Sequence, residues 1–160
     1  MAGTSVAAAA AAKAALGGKS DARSNAKEWA AVLAEVPLFA TLAGRHVRRV
    51  AALAKPRRFE RGVPIVVAGR PGEAFYVILD GEVTVGIPGR RRRRLGPGDY
   101  FGEMSLIDGA PRSATVTADG DVLLLQIGRA GFGRLLKQDP AITLALLKAL
   151  AARVRSAEAG

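Results

Sequence analysis

The feature that most constrains the fold of this 160-residue sequence is a change of pattern along the chain. From about Arg57 to Ile127, short stretches of apolar and alternating residues are separated by glycine and proline, which indicates short β-strands joined by turns. Segments with helical spacing precede and follow this region. The order predicts an α+β fold, in which a small antiparallel β-barrel (jelly roll) is flanked by N-terminal and C-terminal helices.

Helix boundaries are indicated by capping residues. Asn25 and Glu28 have the spacing of a capping box and predict the start of the first helix. A second helix is expected over about residues 44–54, where apolar residues recur at helical spacing. After the strands, Asp139 and Pro140 supply an N-cap and a first-turn proline, so the last helix is expected over about residues 141–156.

The first part of the chain offers little for a core. Residues 1–24 are rich in alanine, glycine and serine, contain almost no large apolar side chains, and predict a disordered Ala/Gly-rich tail. The apolar run within them is too short to span a bilayer and too weakly hydrophobic for a typical targeting segment. A single domain over residues 25–160 and no transmembrane segment are therefore expected.

The amino-acid composition excludes several kinds of functional site. The chain has no cysteine, which excludes disulfides and thiolate metal sites and is compatible with a cytoplasmic location. With His46 as the only histidine, a histidine-ligated metal barrel is excluded as well, so neither a metal nor a cofactor is expected. The net charge of +10 favours anionic partners in general.

Five consecutive arginines, Arg90 to Arg94, stand between two expected strands. Such a run is typical of a solvated hairpin loop outside any pocket, with an anionic docking surface as the alternative. Because no aromatic residues are interleaved to stack bases, nucleic-acid binding by this run is not favoured.

The segment from Tyr100 to Val116 has the chemistry of a site for a cyclic phosphate. Gly102 lets a ligand approach the backbone, and the turn that begins at Glu103 would direct free N–H groups at an anion. Arg112 offers a planar fork of donors that matches phosphate oxygens. A carboxylate beside a phosphate is repelled unless it accepts a hydrogen bond, and a ribose 2′-hydroxyl would supply one to Glu103.

This segment resembles the phosphate-binding cassette of the cyclic nucleotide-binding domain family, to which the catabolite activator protein, protein kinase A regulatory subunits and cyclic nucleotide-gated channels belong. The resemblance extends from about Asn25 to about Glu158. It includes the lead-in at residues 95–99 and the hairpin at residues 74–83. It implies a nucleotide site formed by Gly102, Glu103, Met104, Ser105, Arg112, Ser113 and Ala114, with Val85 and Leu95 as walls for the base.

The last helix contributes one further candidate. On a helical wheel Ile142, Leu146, Leu150 and Val154 form one apolar stripe, and Arg153 lies beside it. A cation on an apolar face needs a partner, and an adenine face would provide one by stacking. In related domains this helix closes over the base, so Arg153 is a candidate lid residue; the alternative is that it extends to solvent.

The resulting hypothesis is a free-standing receptor for a cyclic nucleotide that has no enzymatic activity. The expected ligand is cAMP, with cGMP as the alternative, since the family carries alanine, serine or threonine at the position of Ser113. Ligand binding would move the last helix and so reach a protein partner or a second copy of the chain. No DNA-binding element is expected. The rival hypothesis is a degenerate barrel that serves as an interaction or dimerisation scaffold.

Overall fold

The computed structural model describes residues 22–159, and residues 1–21 of the predicted tail lie outside this range. The described residues form five helices and eight strands. The helices are α1 (Ala22–Leu33), α2 (Gly44–Leu53), α3 (Glu103–Asp108), α4 (Arg129–Gln138) and α5 (Pro140–Ala159). The strands are β1 (Lys55–Phe59), β2 (Pro64–Val66), β3 (Ala74–Asp80), β4 (Val83–Gly86), β5 (Arg93–Leu95), β6 (Tyr100–Phe101), β7 (Thr115–Ala118) and β8 (Val122–Gly128).

The strands form two antiparallel sheets of four strands each. Their orders are β1-β8-β3-β6 and β2-β7-β4-β5. The expected jelly roll with flanking helices is therefore confirmed. Among residues 22–159 no strand ladder joins the two sheets, so they form a sandwich and not the closed barrel that was expected. A core between the sheets contains Ile78 and Leu124 of the first sheet and Val83 and Val116 of the second.

The central strands of the first sheet, β3 and β8, are buried on both faces. Tyr76 and Ile78 of β3 contribute to the core between the sheets, whereas Phe75 and Val77 pack against residues of the helices. This double burial explains why β3 is a continuous apolar run and does not alternate with polar residues. It also places the helices against the sheet that contains β6, next to the start of the cassette.

The start of the first helix differs from the prediction. Helix α1 already includes Ala22, so Asn25 lies inside it and the predicted capping box of Asn25 and Glu28 is wrong. Alanine is the strongest helix former, and the alanines on both sides of Asn25 favour a helix through this position. The 24/25 domain boundary itself remains a prediction.

Asp139 forms the junction between α4 and α5, and it is only 1% exposed. His46 Nδ1 of α2 lies 2.7 Å from its Oδ2, Arg49 Nη1 donates to the same oxygen at 3.4 Å, and the backbone N–H of Ile142 donates to Oδ1 at 3.4 Å. Burial by itself would raise the pKa of Asp139. The hydrogen bonds from His46 and Ile142 and the charges of His46 and Arg49 outweigh burial, so the pKa of the carboxyl lies below its ordinary value.

Asp139→Asn is expected to lower the free energy of unfolding by about 1–2 kcal/mol at neutral pH, since it removes a buried charge-assisted acceptor at the start of a helix. Because the folded-state pKa is depressed, this stabilisation is present above the unfolded pKa of about 4 and disappears as the pH falls through the lower folded value. Urea unfolding from pH 6 to pH 3 measures it. The exposed Asp121→Asn is the control, and a difference from wild type that does not shrink at low pH would contradict the assignment.

Candidate functional site

A cavity that is open to solvent lies between β4, β5, β6, α3, β7 and the C-terminal half of α5, and it encloses about 590 Å³ when the space at its mouth is included. All of the sequence-predicted site residues line it: Val85, Leu95, Gly102, Glu103, Met104, Ser105, Arg112, Ser113, Ala114 and Arg153. The structure thus brings together residues that are up to 68 positions apart, from Val85 to Arg153 (153 − 85).

Gly102 connects β6 to α3 in a conformation that favours glycine. Its φ angle is +94°, and a Cβ atom there would lie 2.8 Å from the carbonyl oxygen of Ala74 and 3.1 Å from Nη1 of Arg112. Any side chain would therefore be strained and would displace its neighbours. The absence of a side chain keeps Arg112 in contact with the backbone of the cassette.

Arg112 is held by two carbonyl groups. Its Nη1 donates to the carbonyl oxygen of Gly102 at 2.7 Å and its Nη2 donates to that of Ala74 at 2.8 Å. Both bonds leave the Nε–H and one N–H on each terminal nitrogen for other acceptors. The orientation of the guanidinium group is consequently fixed before any ligand binds.

The charge of Arg112 is buried and unpaired in the described part of the chain. The residue is 8% exposed, and no ion pair joins it to a carboxylate among residues 26–159. Burial lowers the pKa of the guanidinium, and the neighbouring Tyr76, Glu103 and Glu73 partly restore it. An arginine still stays charged at neutral pH, so this site favours an anion in the cavity.

Gly72 is a residue of the site that the sequence analysis missed. A Cβ atom at this position would lie 2.5 Å from Cβ of Ser105 and 3.4 Å from Cζ of Arg112. Gly72 therefore allows α3, on which Ser105 is 5% exposed, to pack closely against the loop before β3. The Pro71-Gly72 pair was visible in the sequence only as an ordinary turn signal.

Glu103 is 2% exposed and is paired with the last helix. Nη1 of Arg153 donates to Oε1 of Glu103 at 2.7 Å, and Nη2 of Arg153 donates to the carbonyl oxygen of Tyr100 at 2.8 Å. The guanidinium group also lies over the Tyr100 ring, 4.0 Å from its centroid. The cation on the apolar side of the helix therefore has partners within the protein, namely a carboxylate, a carbonyl group and an aromatic ring.

The helical-wheel prediction of which residues of the last helix are buried was partly correct. Ile142 and Leu146 are buried, and Arg153 faces the cassette as expected. Val154 was expected in the same stripe but is 57% exposed. The packed face continues instead through Ala149 and Leu150 to Arg153, because the last turns of α5 contact the polar cassette and not the apolar core.

The other predicted residues occupy different depths of the cavity wall. Leu95 is 9% exposed, Val85 and Ala114 are half-buried, and Ser113 is exposed. Met104 is 56% exposed, and so its side chain adds little to an enclosed wall. The two strand residues lie on neighbouring strands, because Val85 of β4 pairs with Arg93 of β5.

The arginine run does not lie wholly outside the cavity. Strand β5 starts at Arg93, and alternation along it directs Arg93 and Leu95 to the cavity. Arg94 lies on the other face, where its side chain is 3.7 Å from Glu82 and 3.9 Å from Asp119. The expectation of a solvated loop therefore applies to Arg90 to Arg92, and Arg93 is an additional cation at the mouth of the cavity.

The described residues contain neither a helix suited to a membrane nor a cluster suited to a metal ion. Among residues 22–159, no helix has the length and the apolar character that a membrane crossing requires. Within the same range, no group of acidic, histidine and cysteine side chains is arranged to hold a metal ion.

The fold and the cavity define a small-molecule-binding jelly-roll domain that is covered by a C-terminal helix. The chain belongs to the cyclic nucleotide-binding domain family, which matches residues 56–139, more than half of its length. This family consists of regulatory ligand-binding domains, and the resemblance inferred from the sequence is confirmed.

Curated relatives and solved structures agree with this assignment. The chain is 37% identical over 113 residues to a cAMP-dependent protein kinase regulatory subunit of Aspergillus niger, covering 68% of this chain and 27% of that one. It is 38% identical over 116 residues to a cyclic nucleotide-gated potassium channel of Mesorhizobium japonicum, covering 72% and 32%. The catabolite activator protein of Thermus thermophilus superposes with a TM-score of 0.68 and 35% identity, covering 76% of this chain and 60% of that chain.

The regulatory domain of Toxoplasma gondii protein kinase A, crystallised with cAMP, has a TM-score of 0.70 and 27% identity, covering 81% of this chain and 51% of that chain. The chain thus spans about a third or less of the two curated relatives. The activities and partners of those whole proteins do not transfer with the domain.

Proposed function

We propose that this chain is a cyclic nucleotide receptor with cAMP as its ligand, and that it acts by binding and not by catalysis. The observation that carries the proposal is Arg112, a buried cation that is oriented by two carbonyl groups and lacks a carboxylate partner in the described part of the chain. A single phosphate group would supply the missing negative charge.

In this proposal each part of the ligand has its own partner in the cavity. The cyclic phosphate would accept hydrogen bonds from the remaining N–H groups of Arg112 and from the backbone at the start of α3. Glu103 uses Oε1 for Arg153, which leaves Oε2 for the ribose 2′-hydroxyl. The base would lie between Val85, Leu95 and helix α5, all of which line the same cavity.

The choice of cAMP is supported by the names of the relatives, which include cAMP-dependent protein kinase regulatory subunits. The alternative ligand is cGMP, because Ser113 is exposed at the cavity rim and its hydroxyl suits either purine. A cytoplasmic location is part of the proposal and is supported by the absence of cysteine from the sequence.

Calorimetric titration with cAMP, cGMP and linear 5′-AMP tests the proposal, and thermal unfolding with the same ligands provides a second measurement. We expect cAMP to bind most tightly and to raise the melting temperature, as any ligand specific to the native state must. If cGMP bound more tightly than cAMP, the proposed ligand would be cGMP. If millimolar cyclic nucleotides gave neither heat nor a thermal shift, the domain would be an interaction scaffold with an unused cavity.

Helix α5 would transmit the signal. Its docked position depends on the contacts of Arg153 with Glu103 and Tyr100, and Glu103 is also the proposed ribose acceptor. A ligand that engages Glu103 therefore changes the free energy of the docked helix, and the helix in turn changes the affinity for the ligand. A protein partner or a second copy would respond to the position of α5.

Arg153→Ala is expected to weaken cAMP binding by about 0.5–2 kcal/mol, the range for a cation over an aromatic face. Most of the loss should appear as faster dissociation, because α5 closes over a nucleotide that the cassette already holds. Stopped-flow measurements with a fluorescent cAMP analogue give both rates. Arg155→Ala is the matched control, since Arg155 is exposed on the same helix; an equal effect in both variants would remove Arg153 from the site.

A further inference from the structure

A second concave surface lies between α2 and α4, away from the nucleotide cavity. We call it the α2–α4 groove, and it encloses about 880 Å³ of space that is open to solvent. Its apolar floor contains Leu53 and Leu135, with Gly131 packed against Leu53. Its other lining residues are Arg49, Ala52, Arg134 and Gln138.

The charge of this groove is positive and largely unpaired. None of its lining residues is acidic. Among residues 26–159, no hydrogen bond or ion pair joins Arg134 to another side chain, and Arg49 makes one long contact of 3.4 Å with Asp139 while 59% of its side chain is exposed. Two guanidinium groups beside an apolar floor are complementary to carboxylates that alternate with small apolar side chains.

Other occupants fit the groove less well. Insertion into a membrane needs protruding apolar residues, and no exposed large apolar residue of the described chain lines this groove. The lining contains no aromatic ring on which a nucleic-acid base could stack. A second copy would bring another chain of net charge +10, which opposes association.

The groove is connected to the helix that covers the nucleotide cavity. Arg49 contacts Asp139, and Asp139 in turn accepts the backbone N–H of Ile142 in the first turn of α5. A carboxylate bound at Arg49 would compete with Asp139 for the same guanidinium group. Occupancy of the groove would therefore alter the contacts that position the start of α5.

We propose that the α2–α4 groove is a docking site for an acidic amphipathic segment of a partner protein, held by Arg49 and Arg134. Its coupling to nucleotide binding through Asp139 and α5 rests on the proposed function, whereas docking itself does not.

The test uses the full chain and a fluorescein-labelled, 16-residue helical peptide with glutamate and leucine or alanine on one face. Fluorescence anisotropy should show saturable binding that weakens as salt is raised. The same peptide with glutamine for every glutamate should bind about tenfold more weakly, because two partly exposed ion pairs are lost. A duplex DNA of 20 base pairs and vesicles with 30% phosphatidylserine are tested in parallel.

Arg49→Gln with Arg134→Gln should reduce peptide affinity about tenfold, for the same reason. Arg134→Glu alone provides a second variant, since among residues 26–159 no hydrogen bond or ion pair joins Arg134 to Asp139. The matched control is Arg61→Gln with Arg90→Gln, which removes the same charge from exposed loops and should change affinity less than about twofold.

Absence of saturable peptide binding, or an equal loss in the loop control, would overturn the proposal. Tighter binding of DNA or vesicles that depends on Arg49 and Arg134 would also overturn it and would assign the groove to that partner. Saturating peptide should change cAMP affinity, and saturating cAMP should change peptide affinity by the same factor. If the peptide bound but cAMP did not, the docking proposal would be supported and only the proposed nucleotide function would be refuted.

Discussion

Arg112→Ala is expected to weaken cAMP binding by about 2–4 kcal/mol, which is the largest effect of any single change in the cavity. The variant removes a buried cation whose direction is fixed by the carbonyl oxygens of Gly102 and Ala74. The cyclic phosphate would then lie in a desolvated site with no opposite charge. Calorimetric titration at constant salt measures the loss.

Two controls separate the loss of the positive charge from any effect of the substitution on folding. Arg112→Lys keeps the charge but loses the planar fork of donors. Its affinity for cAMP should therefore lie between those of the wild type and of Arg112→Ala. Because Arg112 also joins α3 to β3 through those carbonyl groups, thermal unfolding of each variant without ligand shows how much of the effect is structural. A folded Arg112→Ala protein that binds cAMP as tightly as wild type would refute the phosphate assignment.

Glu103→Ala is expected to weaken cAMP binding by about 1.5–3 kcal/mol, the range for a hydrogen bond to a charged group. The effect should be smaller than that of Arg112→Ala, because a hydroxyl and not a phosphate loses its partner. With 2′-deoxy-cAMP most of the loss should disappear. Competition with a fluorescent analogue compares the two ligands on both proteins.

The ion pair with Arg153 makes an additional control necessary. Glu103→Ala also frees Arg153, so part of its cost comes from the undocking of α5. A double-mutant cycle with Arg153→Ala measures that part separately. If cAMP and 2′-deoxy-cAMP lost the same affinity in the Glu103→Ala protein, Glu103 would position α5 and would not accept the ribose hydroxyl.

The cassette could be predicted from sequence because its chemistry is local. Gly102, Glu103 and Arg112 are close in the chain, and few other residue types could perform the same role at each of these positions. The jelly roll followed from alternation and turn signals for the same reason. Arg153 could be placed on the inward face of α5 from helical periodicity alone.

The features that sequence patterns did not predict depend on long-range contacts. The partners of Arg153 lie about fifty residues earlier in the chain. The separation of the strands into two sheets depends on which edges pair, and alternation does not encode this pairing. The position of Arg93 at the cavity could not be predicted from a run of five arginines, because the direction of its side chain depends on the pairing of Arg93 with Val85. Gly72 became informative only once Ser105 and Arg112 were beside it.

Two arginines of the cavity, Arg112 and Arg153, are anchored on the main chain, Arg112 by two carbonyl groups and Arg153 by one. Arg112 donates to the carbonyl oxygens of Gly102 and Ala74, and Arg153 donates to that of Tyr100. A carbonyl oxygen is present whatever amino acid occupies its position, so these anchors survive most substitutions that keep the backbone in place. Apart from Gly102, the residues that supply these carbonyl groups can therefore vary, whereas Gly72, Gly102, Glu103 and the two arginines cannot be replaced without loss of space or of a contact. Main-chain anchoring of this kind keeps the two guanidinium groups in place when the side chains at the anchoring positions change.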